Sequence, residues 1–87
     1  MGNFMGGSAY AMASQIADGY VPVTLTTIKR LTRQDLSQLQ FELQKILIDE
    51  RSSQPPQDDV KAMQARNRKI SRISNAAMVI KGRLSGR

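Results

Sequence analysis

Two stretches of the chain repeat apolar residues at three- and four-residue steps, the spacing that places them on one face of an α-helix. In the first, Leu36, Leu39, Leu43, Ile46 and Leu47 form a stripe, with Gln34, Gln38, Glu42, Lys45 and Asp49 off it. Thr32 stands in front of Arg33-Gln34-Asp35, where its hydroxyl can accept the free amide protons of a first turn and the carboxylate meets the positive helix end. The pattern predicts a helix over about 33–52. In the second, Val60, Met63, Ile70, Ile73, Ala77, Ile80 and Leu84 share a side, which predicts a helix over about 59–84 capped by Asp58 or Asp59. Between them, Gln54-Pro55-Pro56-Gln57 cannot be helical, because each proline lacks an amide proton and holds the residue before it extended. A loop this short, with Pro55, Pro56 and Asp58 in it, makes the two helices antiparallel neighbours.

The pattern ahead of the first helix is weaker. Residues 1–17 carry no charge, and Gly2, Gly6 and Gly7 loosen the start. This stretch reads as a tail, with a short helix over 8–17 as its one helical option. Gly19 ends it, and the β-branched residues of Tyr20-Val21-Pro22-Val23-Thr24-Leu25 are spoiled for a central strand by Pro22. A lone strand cannot make a sheet. The expected fold is all-α: an antiparallel helical hairpin over 31–87, preceded by a flexible, extended or partly helical segment over 1–30.

Composition removes several kinds of chemistry. The 87 residues include no Cys and no His, so disulfides, thiol or imidazole catalysis and the usual zinc sites are excluded. Asp49-Glu50 and Asp58-Asp59 are adjacent in sequence, so on a helix their carboxylates point about 100° apart and do not converge. No enzyme activity and no cofactor are expected. The longest apolar run, residues 76–80, is far short of the ~20 needed to cross a bilayer, and the N-terminus lacks the basic and apolar regions of a cleavable signal peptide. A single core of this size seldom supplies more than about 5 kcal/mol, so partners are expected. Five methionines, Met1, Met5, Met12, Met63 and Met78, suit adaptable contacts.

Charge then singles out the second helix. Residues 1–57 hold five basic and five acidic side chains, whereas the last thirty hold eight basic ones against Asp58 and Asp59, which accounts for the net +6. Arg68 and Arg72 share a face with Lys61 and Ala65, flanked by Arg66 and Lys69, a stripe able to meet successive phosphates. A small basic nucleic-acid-binding protein is therefore one reading. No aromatic follows Phe41, so no base-stacking platform accompanies that charge. An adaptor hairpin docked on a larger complex is another.

The leading reading comes from a resemblance. The run Ser74-Asn75-Ala76-Ala77-Met78-Val79-Ile80-Lys81 and the loop Pro55-Pro56-Gln57-Asp58 are similar to the C-terminal helix and proline-bounded turn of type III secretion needle and pilus subunits. The tyrosines common early in that helix are missing, a departure that points to a divergent member such as a plant-pathogen Hrp pilus subunit. The resemblance implies a self-assembling subunit of a hollow helical filament, an extracellular appendage exported without a cleavable signal. Its partners would be further copies, other secretion-apparatus proteins and unfolded export substrates. Subunit packing would then fall to Leu36, Leu39, Leu43, Ile46, Leu47, Ile70, Ile73, Ala77, Ile80 and Leu84. The lumen, or in the nucleic-acid reading the polyanion, would meet Gln64, Arg66, Arg68, Lys69, Arg72, Asn75 and Lys81.

Overall fold

A computed structural model describes residues 7–53 and 55–85. Four helices follow one another: α1 (Ala9–Ala17), α2 (Leu25–Ile28), α3 (Arg33–Ser52) and α4 (Val60–Ser85), with no strand among the described residues. The fold is all-α. Readings that involve Met1, Met5, Gly2, Gly6, Gln54, Gly86 or Arg87 lie outside the described residues.

Local chemistry sets the ends of α3 and α4. Thr32 Oγ1 accepts the Asp35 amide proton at 3.0 Å while the Asp35 carboxylate accepts that of Thr32 at 3.2 Å, a reciprocal capping box. Of the two candidate caps for α4, Asp59 does the work: its Oδ1 accepts the Ala62 amide proton at 3.0 Å. Pro55, Pro56 and Asp58 lie in the connection, outside both helices. Arg33 at the start of α3 donates to the Leu84 carbonyl near the end of α4, and Arg66 near the start of α4 donates to the Glu50 carbonyl at 2.9 Å. These cross-links fix the pair as antiparallel.

The N-terminal segment takes the partly helical form and is folded into the core. Ser8 Oγ caps α1 by accepting the Ala11 amide proton at 3.1 Å. At its other end Gly19 (φ +86°) donates to the Ile16 carbonyl and Tyr20 to that of Gln15, the paired bonds of a Schellman turn, whose left-handed residue is best a glycine. α1 packs on both α3 and α4. Six of the fourteen core residues, Met12, Ala13, Ile16, Ala17, Val21 and Ile28, come from before residue 31. The region read as a flexible or extended lead-in thus fills the side of the hairpin that two helices alone leave open. Tyr20 to Val23 run without a strand partner, and Leu25 opens α2, whose N-terminal end Thr24 and Thr27 cap with a second capping box.

Candidate functional site

The apolar stripes face inward within one chain. Leu36, Leu39, Leu43, Leu47, Ile73 and Ile80 are buried, and Ile46, Ile70 and Leu84 are half-buried against them. Ala77 is half-buried as well. The ten residues assigned to subunit packing are therefore core or core margin of the single chain.

The basic stripe of α4 divides into two groups. Arg66 donates from Nε to the Glu50 carbonyl and from Nη2 to that of Arg51 (3.3 Å), closing the C-terminal end of α3. Arg72 Nε does the same for α1, donating to the Ala17 carbonyl at 2.7 Å. Cations at helix C-termini meet both orphan carbonyls and the negative end of the helix dipole. Lys69 bridges Glu50 at 3.3 Å and Asp18 at 3.8 Å. These three cations tie the chain together. Gln64, Arg68, Asn75 and Lys81 are exposed, as is Lys61.

Antiparallel pairing builds a basic pole that chain order hides. The Arg33–Leu84 contact brings the start of α3 beside the end of α4. Lys29 and Arg83 line one shallow depression with Leu25 and Thr26. Exposed Lys29, Arg30, Arg33, Lys81 and Arg83 thus gather at one end of a body 45 Å long, opposed there by Asp35, whose carboxylate is engaged at the α3 cap. At the other end Asp49, Glu50, Asp58 and Asp59 are balanced by Arg51, Lys61, Arg66 and Lys69, the last two held at the end of α3. Sequence reasoning passed over Lys29, Arg30 and Arg33 because they lie in the half of the chain whose charges cancel; only the antiparallel pairing adds them to Lys81 and Arg83.

Next to this pole a groove of about 290 Å³ runs between the 19–23 turn and α4. Ile16, Gly19, Val21, Pro22, Val23, Ala76 and Val79 give it apolar walls, and Arg72 and Asn75 supply its polar groups. The Arg72 guanidinium is held in place, lying 3.4–3.5 Å from the position a β-carbon would take on Gly19. Two large apolar side chains stand out elsewhere: Phe41 and Ile48, seven residues apart on the outer face of α3, are 62% and 60% exposed. Lys45 Nζ sits 5.2 Å from the Phe41 ring centroid while pairing with Glu42 at 3.2 Å. Among the described residues no helix is long and apolar enough to cross a membrane. In comparisons with known proteins, no family model, curated protein or solved structure matches this chain.

Proposed function

We propose that this protein binds nucleic acid through the phosphate backbone, using the basic pole formed by Lys29, Arg30, Arg33, Lys81 and Arg83. The observation that carries this reading is the convergence of these five cations from the turn after α2, the start of α3 and the last turns of α4 onto one end, where the carboxylate of Asp35 is engaged in a helix cap. Unlike Arg66, Lys69 and Arg72, and unlike Arg33 on the Leu84 carbonyl, Lys29 and Arg83 lie at a depression open to solvent. Each phosphate neutralised releases condensed counterions, so affinity falls steeply with salt. For about four contacts, raising salt from 50 to 200 mM should weaken binding by roughly 100-fold. Fluorescence anisotropy with labelled oligonucleotides measures this, and the double substitution Lys29→Glu with Arg83→Glu should remove most of it. Binding that is flat with salt, or indifferent to that double substitution, refutes the reading.

A second reading, the self-assembling filament subunit of an exported conduit, is favoured by a different feature. A basic pole at one end of an elongated body and an end of mixed charge at the other suit head-to-tail stacking, and contacts that do not close on themselves give filaments. Phe41 and Ile48 would add an apolar contact on the flank. The stripes buried in the core are not free to hold copies together, so these surfaces would have to do so. Negative-stain electron microscopy of concentrated protein without nucleic acid separates the two readings: uniform filaments support assembly, and small dispersed particles count against it.

A further inference from the structure

We infer that the groove beside the 19–23 turn accepts one unpaired nucleobase, which makes the partner single-stranded; the inference rests on the nucleic-acid reading above. Three observations lead there. First, the groove has the lining of a small-ligand site, apolar walls with two polar side chains, and its 290 Å³ is just below the ~300–1,000 Å³ range of such pockets. Second, those polar groups are of the kind that read bases. Asn75 carries a carboxamide that can both donate to and accept from a base edge. The Arg72 guanidinium, whose Nε is anchored on the Ala17 carbonyl, presents a flat cationic face fixed in position.

Third, the groove lies between two exposed cations of α4. Arg68 and Arg83 stand fifteen residues apart, on the same side of the helix as the groove-lining Arg72 and Val79 and about 22 Å from each other. Arg83 leads into the basic pole through Lys29. A strand whose phosphates meet Arg68 and Arg83 passes the groove with a base next to Asn75. In a duplex the base stays stacked and paired, and entering the groove requires extrusion at a cost of a few kcal/mol. An unpaired base enters without that cost, which is why single strands are the targets of pocket-type base reading. Tyr20, set between two groove-lining residues and 79% exposed, puts an aromatic ring in the same turn.

The test compares a labelled single strand of about 12 nucleotides with the blunt duplex of the same sequence at ~50 mM salt, by anisotropy on the full chain. The single strand should bind at least about 10-fold tighter than the duplex, the lower range of a lost bidentate base contact. Asn75→Asp should weaken single-strand binding by a similar factor, while Asn67→Asp, which makes the same change at an exposed position elsewhere on α4, should weaken it by no more than about 2–3-fold. Equal affinity for duplex and single strand, with the salt dependence intact, overturns the groove and leaves the basic pole standing. Equal loss from Asn75→Asp and Asn67→Asp does likewise. Absence of salt-dependent binding to either form overturns both proposals.

Discussion

The Arg72 guanidinium and the Ala17 carbonyl, 55 residues apart in sequence, meet at 2.7 Å and close the last turn of α1 onto α4. α1 has nine residues, too few to be helical alone in water, so its order depends on what it docks against. Arg72→Met keeps most of the side-chain stem and deletes the charged donor, leaving a half-buried carbonyl without its partner. A hydrogen bond to a charged group contributes about 1.5–3 kcal/mol. The substitution should lower the urea midpoint by a corresponding amount and speed amide exchange in α1 before the rest of the fold. An unchanged midpoint would show that the apolar contacts of Met12 and Ala13 hold α1 by themselves.

Gly19 is required by its backbone. Its φ of +86° lies in the left-handed region, where a β-carbon costs about 1–2 kcal/mol. That β-carbon would sit 3.4 Å from Arg72 Nε, an ordinary van der Waals contact, so the cost is conformational rather than steric. Gly19→Ala should therefore lower Tm by about 4–8 °C or more for a chain of this size. Gly7 also has a positive φ, +95°, and nothing lies within 4 Å of its would-be β-carbon, so the cost of Gly7→Ala should likewise be conformational.

The hairpin was legible because its signals are local and strong. Thr32 and Asp35 are a capping pair at the required spacing, Pro55-Pro56 forbids a helix, and leucines at three- and four-residue steps leave one face to bury. α1 was much less legible: two of its four buried residues are alanines, and Ser14 and Gln15 interrupt its apolar run. Its helicity is a tertiary effect, supplied by the groove it fills. The candidate site was legible only in part. Charge asymmetry drew attention to α4, but sequence cannot tell Arg66 and Arg72, which close the ends of other helices, from Arg68, which faces solvent. That distinction depends on where the C-termini of α1 and α3 come to rest. The contribution of Lys29, Arg30 and Arg33 depends on the same antiparallel pairing.

Burial of the stripes changes how assembly has to be tested. Ile73 and Ile80 are fully buried, so Ile73→Asp or Ile80→Asp would unfold the chain and abolish filaments for that reason alone. Even Leu39→Ala, at about 2–5 kcal/mol, removes most of the stability a core of this size supplies, and circular dichroism should show a largely unfolded chain. Phe41→Glu and Ile48→Glu alter exposed positions and should leave the helical signal within experimental error of the parent. Only such variants separate loss of assembly from loss of fold. Filaments that persist in the double variant would exclude this flank as a subunit contact.

The division of α4 cations into tethers and exposed groups is itself testable through salt. Removing a cation that contacts phosphate should reduce the slope of log affinity against log salt by about 1. Lys29→Gln and Arg83→Gln should each do so, weakening binding without altering the unfolding midpoint. Lys69→Gln should do the reverse. Its ammonium is shared between Glu50 and Asp18, and at 30% exposure the pairs are partly screened, so the loss should be no more than about 1 kcal/mol of stability. The salt slope should then change little, because a cation already paired with two carboxylates does not neutralise a phosphate and so releases none of the counterions condensed on the nucleic acid. Measuring unfolding and salt slope on the same three variants tests this division directly. A slope change for Lys69→Gln equal to that for Lys29→Gln would mean that Lys69 leaves its carboxylates to reach the bound phosphate.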